Sequence, residues 1–208
     1  MTKTRLEAFS DGVLAIIITI MVLELSLPAG DKIWDLGALA PTLLGYLLSF
    51  FFVAIYWVNH HMVFHDVETI NLKILWSNIV WLFIISFIPY TTAWAGKYPS
   101  SWAPVTVYFA DMALACIAFH VMFYFIVKEN GLAHPEEKAK AFRLDLRSIM
   151  SLVVYTAAVG VGAFCPIAAY VVVAAVSLWW IVPKKKIKKA LEKTAESVEK
   201  IESDKSES

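Results

Sequence analysis

Apolar residues dominate six stretches of the chain, at 5–27, 38–62, 70–94, 104–127, 146–165 and 166–183, and polar residues gather in the short segments between them. About 20 helical residues cross the roughly 30 Å of hydrocarbon in a bilayer, so each stretch predicts one spanning helix. The last two meet at Cys165-Pro166-Ile167, where proline cannot extend the preceding helix and supplies the break. The pattern predicts an all-α membrane protein with a six-helix transmembrane domain over residues 1–183. After KKKIKK at 184–189 the composition turns to lysine, glutamate and serine around Ile187, Leu191, Val198 and Ile201. Residues 184–208 are therefore expected to form a charged cytoplasmic tail, a solvated helix that frays into disorder.

Composition agrees with a membrane protein. The chain is 59% hydrophobic and 17% charged, whereas soluble domains are about 45–50% apolar. The opening MTKTRLEAFSD has no apolar core, and the first run lacks a small-residue cleavage site, so that run reads as a span and not a leader. A formal net charge of zero hides a segregation of charge. Lys73 lies in the second connection, Lys128, Lys138, Lys140, Arg143 and Arg147 in the fourth, and the lysine cluster after the last span. The opposite connections hold only Lys32 and Lys97. The positive-inside rule then puts both termini in the cytoplasm and Trp34, Trp94 and Trp102 at the outer interface. The lysine cluster is also suited to anionic membrane lipids.

The first span opens with polar residues, in FSDGVLAIIITIMVL. A lipid-facing helix satisfies its own backbone, so polar side chains on it must meet protein or water. At 100° per residue, Phe9, Gly12, Ile16, Thr19, Ile20, Leu23 and Leu27 share one stripe, and Ser10 and Asp11 point away from it. Periodicity alone makes the stripe a helix–helix seam. Arg5, YWVNHHMVFH at 56–65 and NLKILWSN at 71–78 are expected at the depth of Ser10 and Asp11, which predicts a structural network there.

Other chemistry is sparse. Adjacent His60 and His61 project about 100° apart on a helix, unlike the i, i+4 pairs that zinc sites use, so no metal is assigned to them. A membrane enzyme with His60, His61 and His65 as ligands lacks a fourth ligand. Glycine-rich nucleotide loops, a GxSxG elbow and CxxC pairs are absent, so neither an enzyme nor a cofactor site is expected, and nothing points to nucleic acid. Cys116 and Cys165 both fall in apolar runs and read as small buried hydrophobes. Asp111 and His120 lie inside the fourth span, where a structural role and a proton or cation role are both open.

The residues Arg5, Phe9, Ser10 and Asp11 form RxxxFSD, followed by GVLAIIITIMVLEL; with YWVNHHMVF at 56–64 and NLKILWSNIVWLFIISFIPYTT at 71–92 they resemble the transmembrane protein 175 family of endosomal and lysosomal potassium channels. The likeness covers about residues 5–95, with one copy of the motif, and is to bacterial single-repeat members that assemble as homotetramers. It implies a potassium-permeable channel in the bacterial inner membrane, with the first helices of four subunits around a central pore. It further implies a constriction at Ile16, further apolar positions at Ile20 and Leu23, and a potassium-favouring layer at Thr19. Arg5, Phe9, Ser10, Asp11, His60, His61, Asn71 and Asn78 are then expected to form the network that holds the pore helix. Without a TVGYG-like segment, selectivity for potassium over sodium should be modest. The competing expectation is a proton channel or proton-coupled carrier using Asp111 and His120.

Overall fold

The first helix, α1 (Lys3–Leu23), stops four residues before the end of its apolar run. Pro28 has no N–H to give the carbonyl of Glu24 and disfavours helical backbone at Leu27, and Leu25 turns back to Val22 at 3.3 Å. The expected span 5–27 is thereby shortened, and Leu27 lies beyond the helix. The computed structural model describes residues 2–65, 67–130 and 135–181, and within the last stretch the side chains of 149–175. The tail at 184–208 lies outside the described residues.

After a 3-10 segment at Ile33–Leu39, α2 runs from Ala40 to Phe64. The third apolar stretch is two helices, α3 (Leu72–Ile85) and α4 (Ile88–Lys97). Pro89 causes the division, because it cannot donate to the carbonyl of Ile85 and its ring crowds that turn. The backbone tightens there, with the amide of Phe87 bonding to Ile84 at 3.1 Å, and helix resumes at once. The two pieces together remain long and apolar enough to cross a membrane.

The fourth stretch is α5 (Trp102–Asn130). The fifth, α6 (Pro135–Phe164), begins well before the expected 146, because the charged residues at 136–147 continue the helix past its apolar part. Cys165 alone separates it from α7 (Pro166–Ile181). Cys116 is buried as expected, whereas Cys165 is exposed, since the turn between two helices at the end of the bundle offers nothing to cover it. The described residues thus form six helical passes, the third one broken.

Contacts between helix ends show which ends lie together. Lys3 Nζ donates to the His65 carbonyl at 2.6 Å, joining the start of α1 to the end of α2. Lys73 Nζ meets Glu129 Oε1 at 2.9 Å, and Thr69 donates to Asn130 Oδ1 at 3.1 Å through its amide, joining the start of α3 to the end of α5. At the opposite end Thr42 Oγ1 donates to the Gly96 carbonyl at 3.1 Å. Helices α2 and α4 come very close here: a Cβ on Gly96 would lie 3.1 Å from the Thr42 Cα, a backbone atom that cannot step aside. Gly96→Val is expected to cost about 1–3 kcal/mol through overpacking, read as a lower thermal midpoint in detergent, and an unchanged midpoint would remove this contact from the fold's requirements.

The core lies around α5, which packs against α3, α4 and α6. At its centre the rings of Tyr56, Trp81 and Phe119 meet pairwise, with centroids 5.1–6.0 Å apart. Phe52 extends the group to Tyr155 on α6 at 5.5 Å. Nearer the Gly96 end is a polar layer, in which Ser49 Oγ lies 2.6 Å from Thr92 Oγ1 and 2.8 Å from the Tyr108 hydroxyl. Every oxygen in it has a partner, as burial requires.

Candidate functional site

Among the described residues, helix α1 packs against the rest of the chain mainly through one face. Leu6, Ser10, Leu14, Ile17 and Met21, spaced at threes and fours, are buried against α2, α3 and α4. Ser10 is the one polar member of that face, and its hydrogen bonds can be counted. Its hydroxyl donates to the Leu6 carbonyl at 2.9 Å, so its oxygen accepts from Asn78 Nδ2 at 3.0 Å. That orients the Asn78 amide, whose Oδ1 must accept from His60 Nε2 at 2.9 Å. The imidazole proton therefore sits on Nε2. The His60 ring stacks on Trp81, 5.2 Å away and 14° from parallel, and lies 4.5 Å from the Phe64 ring. One buried chain of three side chains thus ties α1 to α3 and α2.

Asp11 makes the second tie. It lies about 100° round the helix from Ser10, and its Oδ1 accepts from Trp57 Nε1 at 2.9 Å. Consecutive residues therefore hold α1 to two different helices and leave it little freedom to rotate.

The structure brings Ser10, Asn78 and His60 together and keeps Asp11 beside them, but four of the expected network residues do not join. Arg5 is exposed and forms no ion pair among the described residues, because its helical phase turns it from the packed face. Phe9 is exposed for the same reason. His61 projects outward, one residue round from the buried His60. Asn71 serves its own helix instead, capping α3 by accepting the Ile74 amide at 3.0 Å. Sequence reasoning missed Trp57, although it stands in the YWVNHH segment. An indole on an apolar helix passes for a hydrophobe, and only its N–H makes it the partner that a carboxylate needs.

The other face of α1 is uncovered among the described residues. Phe9, Ile16, Ile20 and Leu23 are 41–80% exposed, and a Cβ added at Gly12 would meet no atom within 4 Å. Thr19 sits among them with its hydroxyl proton committed to the Ile16 carbonyl at 2.9 Å. The free lone pairs of that oxygen are thus presented outward, and such an oxygen suits a cation.

Asp111 and His120 are elsewhere. Asp111 is buried between α5 and α4, where its Oδ2 accepts from Thr91 Oγ1 at 2.9 Å. Thr91 is a partner that sequence reasoning did not name. His120 Nδ1 lies 2.8 Å from the Cys116 carbonyl on its own helix. Nine residues, or about 13 Å of helical rise, separate Asp111 from His120. Among the described residues no group of three metal-ligating side chains occurs.

A bundle of apolar passes whose first helix is pinned on one side and bare on the other has the form of a membrane protein, and comparison with known proteins makes its class specific. Residues 5–89 match the family described as endosomal/lysosomal potassium channel TMEM175. A potassium channel of Chryseobacterium sp. is 39% identical over 191 residues, which cover 92% of this chain and 98% of that one. The crystal structure of a lysosomal potassium-selective channel TMEM175 homolog from Chamaesiphon minutus superposes with a TM-score of 0.75 at 25% identity, covering 86% of this chain and 95% of that one. Among animal proteins, the rat endosomal/lysosomal proton channel TMEM175 is 30% identical over 153 residues, 66% of this chain but only 30% of its own length. The chain is an ion channel and not an enzyme. It belongs to the TMEM175 family.

Proposed function

We propose that this protein is a potassium-permeable channel of the bacterial inner membrane, conducting passively through a central pore lined by the α1 helices of four copies, with both termini cytoplasmic. Ile16 forms the constriction, Ile20 and Leu23 add apolar positions along the same wall, and Thr19 supplies the layer that favours potassium. The observation that carries this reading is the asymmetry of α1. Its packed face is buried within its own chain, while the face bearing Ile16, Thr19 and Leu23 has no cover among the described residues. A single six-helix unit cannot enclose a pore with one such face, so the reading requires several copies around an axis.

The test is ion flux from the purified protein in liposomes under a potassium gradient, repeated with sodium. Potassium flux above sodium flux is expected, and equal or absent flux of both would overturn the proposal. Thr19→Val removes the outward lone pairs and keeps the shape. It should lower the preference for potassium by up to about tenfold, equivalent to about 1.4 kcal/mol, and move the reversal potential towards zero under bi-ionic conditions. An unaltered reversal potential would take Thr19 out of the selectivity layer.

The name of the rat relative keeps a proton channel as the second reading. In it Asp111, held by Thr91, carries the proton. Asp111→Asn separates the two, because Asp111 lies inside the bundle and away from the bare face of α1. Potassium flux should survive the substitution, whereas acidification through Asp111 would be lost.

A further inference from the structure

Helix α2 ends in a second pair of histidines that differs from the adjacent one. His60 turns into the core, onto Asn78 and Trp81. His61 turns outward and shares a helix face with His65, four residues on, where the chain leaves the helix. Both are exposed. Their ring centroids are 6.5 Å apart, with the planes at 77°. Two imidazoles at i and i+4 are the spacing by which a helix holds zinc.

We propose that His61 and His65 form a two-imidazole site for a borderline divalent transition metal, zinc, nickel or copper(II), at the corner where the end of α2 meets the start of α1. Imidazole nitrogen selects these ions over magnesium and calcium, which take oxygen ligands. Exposure lets water fill the remaining positions and gives the ion direct access. The end of α2 favours a cation, because the last carbonyls of a helix carry partial negative charge. Lys3 acts against it: its ammonium donates to the His65 carbonyl at 2.6 Å and keeps a positive charge at the same corner. The site does not depend on the pore assignment, since neither histidine lies on the bare face of α1.

The experiment is calorimetric titration of the full-length protein, with any purification tag removed, using zinc chloride and then magnesium chloride at one neutral pH. Zinc is expected to bind once per chain and magnesium not at all. His61→Ala and His65→Ala should each weaken zinc by more than about tenfold, since even outer partners of metal ligands cost 10–100-fold. Lys3→Ala should tighten it. Copper(II) bound to the parent protein should show nitrogen couplings from two imidazoles by electron paramagnetic resonance, and from one in either histidine variant. Both variants keep the buried Ser10–Asn78–His60 chain, so an unchanged thermal midpoint without metal serves as the folding control. Zinc binding that survives both substitutions, or that magnesium equals, would overturn the site.

Discussion

Ile16→Asn is expected to raise potassium flux through the reconstituted protein by at least about tenfold, the gain that a barrier lower by about 1.4 kcal/mol produces. A narrow ring of branched apolar side chains closes a pore because water leaves it, and an ion cannot follow without its hydration. Asparagine is smaller than isoleucine and carries a donor and an acceptor, so the substitution widens and wets the ring, and every copy around the axis adds one of each. Ile17, the next residue, makes the control. It is 3% exposed, on the packed face, whereas Ile16 is 57% exposed. Ile17→Asn would bury an amide without a partner, at about 1–3 kcal/mol, so it should lower the thermal midpoint in detergent and open nothing. Single-channel conductance and stability thus change in opposite members of an adjacent pair. If Ile16→Asn leaves conductance as it was, Ile16 is not the constriction.

The spans were legible because a bilayer demands a fixed length of apolar helix, and hydropathy records that length without knowledge of packing. Helix ends were less so. The first helix stops at Leu23 because of Pro28, which lies just past its apolar run, and the third pass breaks because of Pro89, inside a run that reads as continuous. The signal was present in each case, but the average over a 20-residue window dilutes a single missing donor. The start of α6 failed in the other direction, since an apolar run marks where a helix enters lipid and not where it begins.

The need for a partner at Ser10 followed from the sequence alone, because a hydroxyl on a spanning helix must be satisfied. The identity of the partner did not. Depth along the membrane brings Asn71, Asn78, His60 and His61 to similar levels, and only rotation about each helix decides which of them face inward. Rotation placed Asn78 and His60 in the chain, turned His61 out, and left Asn71 one step before the first helical residue, where it serves as a cap. The Asn-Leu-Lys-Ile start of α3 is a cap pattern that stood in view. The Asp11–Trp57 bond was hidden for a different reason, since a residue counted as apolar supplied the polar atom.

Asn78→Leu is expected to destabilise the protein by about 1–3 kcal/mol, the cost of leaving a buried donor unsatisfied, and so to lower the thermal midpoint by about 4–8 °C for each 2 kcal/mol in a chain of this size. The change keeps the number and branching of the side-chain heavy atoms and replaces the polar ends with methyl groups. What it removes is the acceptor for His60 Nε2–H and the donor to Ser10, both inside the seam between α1, α2 and α3. The Ser10 hydroxyl still reaches the Leu6 carbonyl, so the stranded group is the imidazole N–H, which is 1% exposed at residue level and has an indole on one side. A double variant with His60→Phe removes that orphan and keeps a ring against Trp81. It should recover part of the loss, so that the two substitutions together cost less than their sum. A structural network predicts this recovery with the ion preference of the folded double variant unchanged. Strict additivity would mean that His60 and Asn78 act independently, and the account of how α1 is held would then rest on Asp11 and Trp57 alone.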